Sequence, residues 1–275
     1  MKKLFNIEKI KTLSYPSFIS LIIIHFILFL IVTLVVSRIH FSAPGFSIKS
    51  LYQFPNVFKF IPWIASWFNI FLAIIIILLV GNEFAYKTFK QNLIDGLNRN
   101  DLIKGKLIVI SSIALYTLIL VIITSLLYGF LYTKDINLTL LLENTNILIV
   151  YFIQAFAYMS LGMLFAIIFK NNSLSIILFI LYFFPIEPIM RSFFPKNIRQ
   201  YFPIEIISDL TPNPEIFNFK QQTEFHSSSG TGNFNIQGID IATEQLSLNT
   251  TSIFALAYII FFVSLSILII RKRNL

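Results

Sequence analysis

The sequence predicts an all-α integral membrane protein with six transmembrane helices. Three observations carry that prediction. Of 275 residues, 56% are hydrophobic and 12% charged, about half the charge a soluble domain uses to solvate its surface. Five long tracts lack any charged residue, and each is long enough to cross the bilayer core, which needs roughly 20 apolar residues. The basic residues, finally, are concentrated in alternate connections between these tracts.

The charge-free tracts run from Thr12 to Ser37, Phe60 to Asn82, Leu107 to Thr133, Asn144 to Phe169 and Gln245 to Ile270. They place spans at 17–37, 60–80, 107–132, 146–169 and 252–270, because a charge inside hydrocarbon is costly. A shorter apolar tract from Asn171 to Ile186 supplies a further span at 173–190. Pro185 and Pro188 remove backbone donors there and are expected to break the helix.

With the N-terminus inside, 13 of the 21 Lys and Arg residues fall in cytoplasmic segments. Only Glu8, Glu83, Asp95 and Asp101 oppose them, so the inner segments carry +9 and the outer ones −1. The positive-inside rule selects this orientation, with both termini cytoplasmic. It also accounts for the net charge of +8 without invoking nucleic acid. A cleaved signal peptide is the competing reading of residues 1–40, but the apolar stretch is span-length and no A-x-A site follows.

Residues 1–15 read as an amphipathic helix on the inner membrane surface. Leu4, Ile7, Ile10 and Leu13 recur at helical spacing, Lys2, Lys9 and Lys11 point elsewhere, and Pro16 ends the segment. An unstructured basic anchor is the alternative. The loop from Gly81 to Lys106 holds 8 of the 34 charged residues. Over 82–96, Glu83, Lys87, Lys90, Gln91 and Asp95 can share one polar helix surface, while Phe84, Phe89, Leu93 and Ile94 supply apolar contacts. Gly96 suits a positive-φ C-terminal cap, and Asn100 or Asp101 can cap the next helix. An ordinary solvated loop is the bland alternative.

The order Glu83, Thr88, Gln91, Asn92, Leu93, Asp95, Gly96, Leu97, Arg99, Gly105, Lys106, Leu107 resembles the permease subunits of ABC-type exporters, the type-two ABC permeases. Asn98 departs from the Ser or Pro usual beside the Arg. The resemblance implies that 82–96 is a cytoplasmic coupling helix docking on a separate ABC-type ATPase. Its contacts would lie among Glu83, Tyr86, Lys87, Gln91, Asn92, Asp95, Gly96 and Arg99. It further implies a second permease copy, identical or not, a bacterial inner-membrane location, and ATP and Mg bound by the partner, with no cofactor on this chain.

Residues 191–250 form an outer segment. Apolar residues interleaved with Pro and charge over 187–219 predict short interfacial helices, and 220–238 reads as a mobile loop. Gly230-Thr-Gly232 within it lacks the flanking strand and helix of a phosphate cradle.

No enzyme constellation emerges. Cysteine is absent, and His25, His40 and His226 have no partners at metal-ligand spacing, so no metal site is expected. There is no nucleophile elbow, and position 100 is Asn where a phosphate-binding loop ending at Gly105-Lys106 needs Gly. Energy must then come from another chain or an ion gradient, and no Asp, Glu or Arg lies within the five tracts to serve a gradient. His25, Asn69 and Gln154 are the polar residues expected to line a pathway or bond between helices. A non-transport component of an envelope complex and a membrane-embedded enzyme are the alternatives to transport.

Overall fold

The computed structural model describes residues 2–39, 42–43, 46–213 and 246–272. Hydrocarbon offers backbone amides no water, so apolar tracts must satisfy their own hydrogen bonds, and a helix does so within one segment. Among the described residues the only extended pairing is Ser42–Ala43 with Phe46–Ser47, antiparallel; everything else regular is helical.

In chain order the helices are α1 (Lys2–Leu13), α2 (Pro16–Arg38), α3 (Ile48–Leu51), α4 (Val57–Ser66), α5 (Asn69–Ala85), α6 (Thr88–Ile94) and α7 (Arg99–Tyr132). There follow α8 (Leu138–Leu142), α9 (Asn146–Phe169), α10 (Asn172–Leu181), a π-helical turn (Tyr182–Ile186), α11 (Glu187–Ser192), α12 (Lys196–Arg199), α13 (Pro203–Ser208) and α14 (Leu248–Lys272). Five helical stretches are long and apolar enough to cross a membrane: α2, α7, α8 with α9, α10 through α11, and α14. The pair α4 and α5 qualifies only jointly, bent by 42°, so a total of six requires counting that pair as one span.

α9 lies at the centre. Its Ala155, Ala157, Met159, Met163, Ala166 and Ile167 are fully buried, and α5, α14, α7 and α10 pack around it. A second, aromatic cluster near one end joins Phe29 of α2, Tyr52, Phe58 and Phe60, and Val121 of α7. There the Tyr52 hydroxyl donates to the Thr33 carbonyl at 3.1 Å. α2 instead shows Ile23, Ile27, Ile31 and Leu34 outward, the apolar surface expected of a helix facing lipid.

Several expectations are revised. The single span at 60–80 is two helices meeting at Trp67–Phe68. Pro62 inside α4 has no N–H to give, Ser66 bonds back to the Trp63 carbonyl at 2.7 Å, and Asn69 is held by Gln154, so polar bonds fix the bend. Pro185 does not break its helix. The chain widens into the π turn, whose i→i+5 spacing accommodates the missing donor, and the helical backbone continues through Pro188 to Ser192. The polar helix expected over 82–96 is shorter, seven residues from Thr88 to Ile94, set off by a turn at Tyr86–Lys87. α7 begins at Arg99 after an extended Asn98 whose side chain makes no cap bond, earlier than the Asn100 or Asp101 cap. In α1 the inward face carries Glu8 and Thr12, and Ile10 and Leu13 point out. The 220–238 loop and the glycine pair within it lie outside the described residues.

Candidate functional site

Among the described residues, one end of the bundle gathers most of the organised charge. α5 runs to Ala85, Lys87 turns the backbone with φ 57°, and α6 begins at Thr88, whose hydroxyl donates to the Glu83 carbonyl at 3.2 Å. Phe89 is 1% exposed and packs on Phe84 with ring centroids 4.6 Å apart, which pins α6 to the end of α5. Gln91 donates to Asp95 across one helical turn at 3.1 Å. The helix then closes in a Schellman motif: Gly96, with φ 90°, donates to the Leu93 carbonyl and Leu97 to that of Asn92.

Beneath α6 lies a buried ionic cluster. Lys106 of α7 places Nζ 2.6 Å from Glu8 Oε2 of α1 and 2.7 Å from Glu83 Oε1 of α5. The three residues are 5%, 5% and 8% exposed. Lys11 reaches the same Glu83 oxygen at 3.5 Å. Charges this buried persist only when paired and hydrogen-bonded. Gly105 makes room, because a Cβ there would stand 2.8 Å from Glu8 Oε1. A parallel ladder of amides runs beside the cluster. Asn172 of α10 donates to Asn82, and Asn82 donates to the Tyr15 hydroxyl, both at 2.6 Å. The α7 start is clasped to the α14 end: Arg99 donates to the Ile270 and Arg271 carbonyls at 2.8 and 2.9 Å, and Arg271 donates to Asn100 at 2.8 Å.

The residues expected to contact a partner therefore divide. Tyr86 (72% exposed), Lys87, Gln91, Asp95 and Gly96 face outward and Asn92 is half-buried. Glu83 and Arg99 turn inward as framework. The sequence predicts an apolar contact at Ile94, but the structure leaves it 70% exposed at the end of α6, next to Asp95. Two cavities flank this region. One of about 200 Å³ opens beside Glu83, Lys11, Tyr15 and Asn82. Another of about 320 Å³ is walled by Lys87, Lys90, Lys170, Phe84 and Phe89.

The three intramembrane polar residues are all bonded between helices. His25 Nδ1 pairs with the Tyr116 hydroxyl at 3.4 Å amid Phe68 and Phe71. Asn69 donates to Gln154 Oε1 at 3.3 Å. Gln154 in turn donates to the Ile207 and Ser208 carbonyls and to Thr211, at 2.9, 3.2 and 3.1 Å. This anchors the C-terminal end of α13 on α9. Glu187, 1% exposed, accepts from the amides of Ile204 and Glu205 at 2.7 and 3.2 Å and holds the other end. Arg191 and Glu205 form an ion pair beside it. Burial raises the Asp209 carboxyl above the usual carboxylate range, against an opposing pull from Arg191.

Sequence reading missed the Glu8–Lys106–Glu83 cluster. Its trace was there: Glu8 is the only acid of α1, and Gly105-Lys106 stands directly before a charge-free tract. Among the described residues no group of three or more His, Asp or Glu is placed to hold a metal ion. No protein-family model, curated protein or solved structure matches the chain.

Proposed function

We propose that the chain is the permease subunit of an ATP-binding cassette transporter, moving its cargo outward with energy from a separate ATPase. On this reading α4 and α5 form one broken span, six spans cross the inner membrane, and α1, α6 and the end of α14 lie on the cytoplasmic side. The observation that carries it is α6. A seven-residue helix packs on the bundle through Phe89 and presents outward Ile94, 70% exposed, with Gln91 and Asp95, while Tyr86, 72% exposed, and Lys87 precede it in the turn. It packs on α5 and α7, and α5 and α7 are in turn joined to α1 by buried ion pairs. Exposed aromatic and aliphatic anchors within a polar rim suit a protein partner. A short helix on a stiff base transmits a push from a soluble motor as a rigid body. Two copies of the permease and two of the ATPase would complete the machine, with ATP and Mg held by the ATPase.

Purification from native membranes tests this. The chain is expected to bring down an ATPase, and Tyr86→Ala with Ile94→Asp should lower the stimulated ATPase rate while leaving the melting temperature of the bundle unchanged. An unaltered rate in that double variant, or a preparation from native membranes without an ATPase, refutes the proposal.

A further inference from the structure

α1 does more than lie beside α7: the two helices and the start of α2 border a third cavity, an open groove of about 320 Å³. That is on the order of ten times the roughly 30 Å³ a water occupies in the liquid. Its walls are Phe5 and Leu13 of α1, Phe18 and Ile22 of α2, and Val109 and Ile113 of α7. Phe18, Val109 and Ile113 are 9%, 7% and 4% exposed and form the floor, whereas Phe5 and Leu13 are 45% and 52% exposed at the mouth. Such a predominantly apolar floor offers water few partners and suits an apolar group.

The rim is basic. Lys9 lies on it, is exposed, and makes no ion pair among the described residues. The acidic Glu8 carboxylate on the same wall is already taken by Lys106. α1 therefore offers uncompensated positive charge at the mouth of an apolar slot, and the sequence adds Lys2 and Lys3 to the same helix. An amphiphile with an acyl chain and an anionic headgroup matches both features at once. A zwitterionic lipid would satisfy only the slot, and a free anion only the rim.

We infer that this groove binds one anionic glycerophospholipid, with an acyl chain between α1, α2 and α7 and its phosphate beside Lys9. The inference rests on the chain being embedded in a membrane. It does not need the ATPase partner, so its test contains none and the two readings can fail separately. The bound lipid would hold α1 against α7 beside the Glu8–Lys106 pair.

The test reconstitutes the full chain in vesicles of pure phosphatidylcholine and of an equimolar phosphatidylglycerol–phosphatidylcholine mixture, exchanges it into detergent, and counts retained lipid by mass spectrometry. Wild type is expected to retain phosphatidylglycerol over phosphatidylcholine. Lys9→Glu should reduce that retention on the order of tenfold, and Lys9→Arg should preserve it. Ile113→Trp, which fills the slot, should abolish it, whereas Ile123→Trp on the outer face of the same helix, where Ile123 is 51% exposed, should not. Lys9 is a surface position, so its variants report even if the tryptophan in the floor impairs folding. Equal retention of both lipids by wild type, or undiminished phosphatidylglycerol in Lys9→Glu, overturns the inference.

Discussion

Replacing Lys106 by methionine removes the one ammonium that two buried carboxylates share. Both approach the same Nζ, at 2.6 and 2.7 Å, so without it their oxygens stand about 5 Å apart or less, close enough for like charges to repel strongly. Lys11, 3.5 Å from Glu83 and partly solvated, compensates only one of them. Breaking a buried pair from one side costs about 3–5 kcal/mol. Glu8→Gln is milder, about 1–3 kcal/mol, since Glu83 and Lys106 remain a neutral pair and the amide still accepts from Nζ. The triple variant Glu8→Gln, Glu83→Gln, Lys106→Met leaves no buried charge, only the partly solvated Lys11 at the edge, and should recover most of the loss. Thermal unfolding in detergent, followed by the fluorescence of Trp63 and Trp67, orders the three. A fall on the order of 10 °C is expected for Lys106→Met, by the scaling of soluble domains of similar length. Partial proteolysis should cut α1 free before the bundle melts. Lys106→Met melting no lower than Glu8→Gln would refute the reasoning, because the cluster would then be solvated rather than buried.

Three further outcomes follow from the packing. Gly162→Ala on α9 would set a Cβ 2.8 Å from the Ala73 carbonyl of α5; backbone cannot yield there, so a loss of about 1–3 kcal/mol is expected in the same melting assay. Gln154→Leu strips the donor from the Ile207 and Ser208 carbonyls and should speed amide exchange in α13 selectively, at a cost of about 1–3 kcal/mol. Asp209 binds its proton more tightly folded than unfolded, where 3.8 is its ordinary value. Its contribution to stability is thus full below that value and lost as pH rises through the folded one. Asp209→Asn should remove that decline, so its melting temperature gains on wild type from about pH 4 upward; parallel curves would speak against it.

The long helices were legible because lipid-facing segments obey a simple constraint: a charge-free tract of sufficient length has few structures open to it. α7, α9 and α14 are long unbroken helices for that reason. The interruptions were harder. Pro185 reads as a breaker in any local account, and only the π turn, a feature of backbone register, lets the helix pass. The bend before Asn69 depends on Gln154, 85 residues away in sequence, and no local pattern contains that bond. The polar triplet His25, Asn69 and Gln154 could be picked out by cost alone, but which groups satisfy each residue is tertiary information.

The loop from Gly81 to Lys106 shows the same division within one motif. Its residue order marks a compact charged element, yet spacing along a helix cannot tell which charges face out. Glu83 and Lys87 stand four apart and would share a face on a continuous helix. The left-handed backbone at Lys87 separates them, sending Glu83 to Lys106 and leaving Lys87 in solvent. The buried charges are then the condition for the exposed ones: α6 is tied to α5 through Phe84 and Phe89, and α5 to α7 and α1 through Lys106. A displacement applied at Tyr86 or Ile94 must accordingly move α5, α7 and α1 together or break ion pairs that cost several kcal/mol to open. On the proposed reading, that stiffness, more than the surface residues themselves, is what would let this end of the bundle receive force from a partner ATPase.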